Sequence, residues 1–102
     1  MRVKYLGATP LKKIIAMMHI SAPGDKVKRA IILLGRQHAG ETPSSFVVQE
    51  IVEELLGSTP ENEFLLSNFD FYIFPMVNVD GVSVGNYRCN SAGYDLNRSW
   101  HM

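Results

Sequence analysis

The chain is predicted to fold as an α/β domain, and three features of its sequence lead there. Two short apolar runs, 12–20 and 30–34, flank the turn-forming stretch Ser21-Ala-Pro-Gly-Asp25. An amphipathic stretch runs from Pro43 to Leu56, and an aromatic, β-branched run follows from Phe69 to Val77. Strand, helix and strand in that order is the unit from which parallel sheets are built. With 102 residues, 46% of them hydrophobic and 20% charged, the chain has the size and balance of one globular domain or part of one.

Taken in order, Arg2 to Leu6 alternates as a strand and joins the next run through Gly7-Ala-Thr-Pro10. The runs 12–20 and 30–34 are expected to pair with each other. Residues 30–34 are almost uniformly apolar, as befits a strand covered on both faces. From Pro43 to Leu56, the residues Val47, Val48, Ile51, Val52, Leu55 and Leu56 recur at helical spacing opposite Gln49, Glu50, Glu53 and Glu54. Thr42 is the expected N-cap, Pro43 the first helical residue and Gly57 the stop. Residues 61–66 add a short helical turn, and the run from Phe69 forms a buried strand up to Pro75. Residues 78–100 are polar and glycine-punctuated, which predicts one long loop of the kind that carries binding or catalysis. Within it, Asn78-Val-Asp-Gly81 reads as a tight turn capping the strand, with Gly81 in an unusual backbone conformation and no chemistry assigned.

The net charge is zero, yet eight of the ten Lys and Arg residues lie within residues 1–36 against a single acid there, Asp25. Two readings stay open: edge strands guarded by basic side chains, or attraction of an acidic substrate. Nucleic acid is a poor partner, because the basic residues are not interleaved with aromatics and no binding motif is present. No apolar run approaches the ~18 residues of a membrane span, so no membrane is expected. No signal peptide follows Met1, which favours the cytoplasm. A lone cysteine, Cys89, excludes an internal disulfide or thiolate cluster, so any metal must be held by His and carboxylate.

His38-Ala-Gly-Glu41 lies between a strand and a helix, where open α/β sheets bind ligands. An imidazole and a carboxylate three residues apart across a glycine-containing turn can converge on one cation. Equally, they can be a loop histidine and an acid favouring a helix N-terminus. Arg98, helped by Asn97, can hold a carboxylate, and Asp95 can accept the second N–H of a metal-bound His38. The alternative for this stretch is a local network of turns and ion pairs. Arg88 either stacks on Tyr87 or polarises a carbonyl and stabilises its oxyanion. Cys89 reads as a bystander, and His19 as a histidine with a satisfied partner in or beside the core.

Taken together and in this order, Gly35-Arg-Gln-His-Ala-Gly-Glu-Thr-Pro-Ser-Ser-Phe46, Phe74-Pro-Met-Val-Asn-Val-Asp-Gly81, Gly85-Asn-Tyr-Arg-Cys89 and Asp95-Leu-Asn-Arg-Ser-Trp100 resemble the zinc carboxypeptidases. Among these the resemblance is to the cytosolic carboxypeptidase branch, whose members remove glutamates from tubulin and other proteins. It implies a partial carboxypeptidase-like mixed β-sheet with flanking helices, with residues 1–102 as the N-terminal portion of a single catalytic domain. One Zn2+ would be held by His38 and Glu41, with Asp95 behind His38. Arg88 would be the oxyanion-side catalytic arginine, and Asn97 and Arg98 the clamp on the substrate's terminal carboxylate. The implied partner is a peptide or protein C-terminus such as a tubulin polyglutamate tail, in the cytoplasm or on microtubules.

Ala39 and Val79 stand where the family commonly has proline. The family's third zinc ligand, a histidine, and its general-base glutamate come from beyond the Asn-Arg motif, and His101 follows that motif too closely to match. The chain is therefore expected to be incomplete and inactive alone. Two alternatives accompany this reading. One is a non-catalytic carboxypeptidase-like binding module. The other is an aspartoacylase-like zinc amidohydrolase, which suits the Asp95–Trp100 block about as well and the Gly85–Cys89 block less well.

Overall fold

A computed structural model describes residues 1–101. It is a mixed α/β fold in which four strands, β1 (Arg2–Ala8), β2 (Ile14–Ile20), β3 (Arg29–Leu34) and β4 (Phe69–Phe74), form one sheet in the order β1-β2-β4-β3. β1 and β2 are an antiparallel hairpin whose register slips between Leu6 and Ala8. β2 is antiparallel to β4, and β3 is parallel to it. The expected pairing of the second and third runs is therefore corrected: β4 lies between them. Returning through α1 (Pro43–Leu55) and α2 (Pro60–Asn68), the chain places β4 beside β3 as a parallel crossover, and β4 brings its other edge to β2.

One face of the sheet carries the core. Met18 and Ile20 on β2, Ile31 and Leu33 on β3, and Phe69, Phe71 and Ile73 on β4 alternate onto that face, where they meet Val48, Ile51, Val52 and Leu55 of α1 and Leu65 and Leu66 of α2. Ile20 and Ile73 are all but inaccessible. The other face is more open, and β3 is not covered on both faces as its composition suggested, since Ile32 is 63% exposed. Among the described residues this uniformly apolar strand stands at the edge of the sheet. Val47 and Leu56 of the predicted apolar stripe are likewise exposed, so the buried stripe of α1 is narrower than helical periodicity alone indicates.

Helix α1 starts with Pro43 in its first turn, as expected, but Thr42 is already helical (φ −55°, ψ −33°) and its side chain caps nothing. In α2, longer than the turn expected at 61–66, Thr59 is the working cap: its Oγ1 accepts a hydrogen bond from the Asn62 amide at 3.2 Å. Buried Asn62 donates to the carbonyls of Glu54 and Gly57, tying the end of α1 to the start of α2. β4 stops where Pro75 removes the next ladder donor. Beyond it the predicted long loop is partly helical, with α3 (Val79–Val84) and a short 3-10 turn at Leu96–Arg98. Asn78 opens α3 as its N-cap, accepting from the Gly81 amide at 3.0 Å. Gly81 has no unusual backbone angle. A glycine is needed because a Cβ there would stand 2.5 Å from the Cys89 carbonyl and 2.6 Å from the Asn78 amide.

Candidate active site

β3 delivers the chain to a tightly held turn. Gly35 donates to Phe74 O at 2.7 Å and accepts from Val77 N at 2.9 Å, so the exits of the parallel pair are laced together. Arg36 takes a left-handed conformation (φ 52°), which turns its side chain back over the following residues. Its Nε and Nη2 donate to Ala39 O at 2.8 and 2.6 Å, and its Nη1 donates to Ser45 Oγ at 3.1 Å. A guanidinium is thereby spent on holding the His38–Glu41 turn against the first turn of α1.

The loop carrying Arg88 is pressed onto this turn. Gly40 N donates to Tyr87 O at 2.6 Å, and a Cβ on Gly40 would collide with the Tyr87 ring and backbone. Gly40 thus serves close approach rather than an unusual backbone angle. Asn78, 2% exposed, lies behind both segments, with Nδ2 at 3.2–3.3 Å from the carbonyls of Gln37, Arg88 and Cys89. Asp80, also buried, accepts from Thr9 Oγ1 and, at 3.2 Å, from Leu11 N, which anchors the β1–β2 turn to α3. The sequence marks Arg36, Asn78 and Asp80 only faintly as site-building residues. Their only signal is polar side chains adjoining apolar strand ends and glycines.

Four of the six expected site residues meet. His38 is buried, and its Nε2 lies 2.8 Å from Asp95 Oδ1, while its Nδ1 lies 3.3 Å from Glu41 Oε1. Arg88 donates to the second oxygen of Asp95 through Nε at 3.1 Å and Nη2 at 2.8 Å. The hydrogen bond to His38, and then that from Arg88, pull the Asp95 carboxyl down to about 2, and Asp95 in turn raises Arg88. Ionised Asp95 can only accept, so His38 carries its proton on Nε2 and, when neutral, turns a lone pair towards Glu41. Two acceptors then face each other, and a metal cation between them would relieve the repulsion.

Donors at ~2.0–2.1 Å from tetrahedral zinc stand about 3.3–3.4 Å apart, so the observed 3.3 Å and the nitrogen and oxygen donor types suit zinc. Among the described residues no group of three or more His, Cys, Asp or Glu side chains is arranged to hold a metal, so the pair has no third ligand there. Asn97 and Arg98 sit on the exposed 3-10 turn just after Asp95, and among the described residues neither bonds to His38 or Glu41. Asn97 Oδ1 accepts from Trp100 Nε1 at 3.0 Å. Cys89 is a free, half-buried thiol. His19, expected to be satisfied at the flank of the core, has Nε2 3.0 Å from Asp70 Oδ1 and stacks on Tyr72.

Known proteins resemble the chain over nearly its whole length. Cytosolic carboxypeptidase 6 of Mus musculus is 41% identical over 99 residues, 93% of this chain and 18% of that protein. Cytosolic carboxypeptidase 2 of Danio rerio is 43% identical over 91 residues, 84% of this chain and 13% of that protein. The crystal structure of a metallo-carboxypeptidase from Burkholderia cenocepacia superposes with a TM-score of 0.90 at 31% identity, covering 99% of this chain and 28% of that one. A metallo-carboxypeptidase from Pseudomonas aeruginosa gives 0.84 at 31% identity over 98% of this chain and 27% of that one. The chain thus spans less than a third of the length of each of these relatives. No helix among the described residues is long and apolar enough to cross a membrane. The family model described as zinc carboxypeptidase matches residues 1–102, and the chain belongs to that family.

Proposed function

We propose that the chain forms part of the active site of a zinc-dependent metallocarboxypeptidase that removes C-terminal residues, in particular glutamates, from proteins such as tubulin in the cytoplasm or on microtubules. The observation that carries this reading is the two-sided use of Asp95: one oxygen on His38, the other on Arg88, with His38 Nδ1 turned to Glu41. The family membership and the cytosolic names of the relatives support it. His38 Nδ1 and Glu41 Oε1 would hold the zinc. When bound, it supplies a Lewis acid that polarises the scissile carbonyl and lowers the pKa of a water.

Residues of this chain would position and complement that chemistry. Asp95 keeps the proton of His38 on Nε2, leaving Nδ1 as a donor of electrons. Arg88, held in place by the same carboxylate, presents a fixed positive charge to the oxygen that becomes negative in the transition state. On the exposed turn, the side-chain amide N–H groups of Asn97 and the planar guanidinium of Arg98 would bind the terminal carboxylate of the peptide.

Hydrolysis of peptides ending in glutamate by a zinc-loaded full-length protein that contains this chain tests this reading. Arg98→Gln is expected to raise KM at least tenfold for peptides with a free terminal carboxylate. His38→Ala is expected to abolish both zinc retention and turnover. Equal cleavage of C-terminally amidated peptides, or faster hydrolysis of N-acyl amino acids, overturns it, the latter in favour of an amidohydrolase. The two-ligand set among the described residues favours one second reading, a binding module that takes up a peptide C-terminus without turnover.

A further inference from the structure

Asn78 stands between the two segments that bring His38 and Arg88 to the site, and it has partners on both. It is 2% exposed, which leaves almost no surface for partners beyond those it already has. Nδ2 lies 3.3 Å from the carbonyl of Gln37, the residue before His38. It lies 3.3 Å from the carbonyl of Arg88 and 3.2 Å from that of Cys89. Oδ1 accepts from the Gly81 amide at 3.0 Å and so caps α3. Only this orientation of the amide works, because turned over it would set its oxygen against three carbonyl oxygens and its NH2 against an N–H. The main-chain N–H of Asn78 adds a bond to Arg36 O at 3.1 Å on the same turn.

The cap explains Oδ1 but not Nδ2. Serine, threonine or aspartate caps a helix as well as asparagine does, and of these only asparagine also brings an NH2 group. Here that group reaches one segment 41 residues earlier and another 10 and 11 residues later. The sequence leaves room for it: Gly81, a poor helix former, sits inside α3, where a Cβ would stand 2.6 Å from Nδ2 and 2.5 Å from the Cys89 carbonyl.

Arg88 has a long side chain that is 42% exposed, and Asp95 holds only its far end, through Nε at 3.1 Å and Nη2 at 2.8 Å. Its near end moves with the main chain. Asn78 ties that main chain, at the Arg88 carbonyl itself, to the residue adjoining His38, and the bond from Gly40 N to Tyr87 O at 2.6 Å runs alongside. A misplacement of about 1 Å in an active site can cost on the order of 100-fold in rate. We propose that Asn78 is a positioning residue for Arg88: its side-chain NH2 keeps the Arg88 main chain in register with the His38 turn and thereby sets where the guanidinium stands. The inference rests on the oxyanion role proposed above for Arg88. Because Asn97 and Arg98 would bind the substrate carboxylate from another turn, loss of this register falls on kcat and spares KM.

Asn78→Ser separates the two uses of the side chain, since a serine hydroxyl still caps a helix but is too short to reach the three carbonyls. In a zinc-loaded full-length protein that contains this chain, assayed with peptides ending in glutamate, Asn78→Ser is expected to lower kcat at least tenfold. KM is expected to stay within about twofold of wild type, and zinc content to be unchanged. In an Arg88→Gln background the same substitution is expected to lower kcat less than about twofold, because the group it places is gone. Amide exchange followed by mass spectrometry needs no turnover: residues 36–41 and 85–90 are expected to exchange at least tenfold faster in Asn78→Ser, with β2, β3 and β4 at wild-type rates. Losses that multiply in the double variant, a rise in KM as large as the fall in kcat, loss of zinc, or unchanged exchange at both segments overturns the proposal. Asn78→Asp, which keeps a capping oxygen and lacks the NH2, replaces the serine variant if that one does not fold, and failure of both to fold overturns the proposal in favour of a purely structural role. A wild type that removes no C-terminal residue overturns the peptidase reading and this inference with it, whereas an active wild type whose losses multiply overturns this inference alone.

Discussion

At the scale of single residues, Asp95 decides the state of its neighbours because its two oxygens answer to different partners, His38 and Arg88. Removing the carboxylate leaves the His38 ring without its acceptor, so Asp95→Ala is expected to convert the single Nε2–H tautomer into a mixture of both. Imidazole nitrogen shifts measure this directly, and an unchanged tautomer would show that Asp95 does not govern it. Gly81 makes a steric prediction. A Cβ at that position meets the Cys89 carbonyl at 2.5 Å and both polar atoms of the Asn78 side chain, all of them fixed by other bonds. Gly81→Ala should cost about 1–3 kcal/mol in urea unfolding, the range for overpacking. His38, Glu41, Arg88 and Asp95 were legible as a group because their side-chain chemistry is specific and their order in the chain matches a known pattern. Asn78 and Asp80 were not, since the carbonyls and amide they hold lie far away in the sequence, and Arg36 was not, since it reaches Ala39 only from a left-handed backbone that its residue type does not announce.

At the scale of elements, helix starts could be located in the sequence but their capping could not. Thr42 and Thr59 both precede proline, yet only Thr59 has the extended backbone (φ −97°, ψ 156°) that lets a hydroxyl reach the third amide. Thr59→Ala is therefore expected to cost about 1 kcal/mol, and Thr42→Ala only a few tenths, in paired thermal or urea unfolding. Equal costs would mean that the backbone at 42 relaxes into a true cap. The strands show the same division. Each apolar run became a strand, but their neighbours followed from the crossover: a strand returning through two helices can insert between two earlier ones, and no pairwise matching of runs 12–20 and 30–34 anticipates that. The same insertion puts β3 at the edge of the described strands, where Ile32 is exposed despite the strand's apolarity.

At the scale of the whole molecule, the sheet is packed by helices on one face, and its more open face is where charge and association act. His19 and Asp70 share that face, and the hydrogen bond from His19, followed by that from Ser21, holds the Asp70 carboxyl below its ordinary value of 3.8. A lowered folded-state pKa means that this contribution is present above about 4 and fades as pH falls through the lowered value. The stability difference between wild type and Asp70→Asn should accordingly shrink on acidification below pH ~4, and a difference that persists there would rule the pair out as its source. Further along the same face, Ile32 is 63% and Leu34 41% exposed on β3, which has no second strand partner among the described residues. Apolar side chains beside an open ladder are the combination that lets two sheets join edge to edge. Sedimentation of the chain should show an average mass that rises with concentration, whereas Ile32→Lys should remain monomeric. Because Ile32 contributes little to the core, that variant should unfold within a few degrees of wild type. A wild type that stays monomeric throughout would show that the twist of β3, or the basic residue Arg29 at its start, already guards this edge.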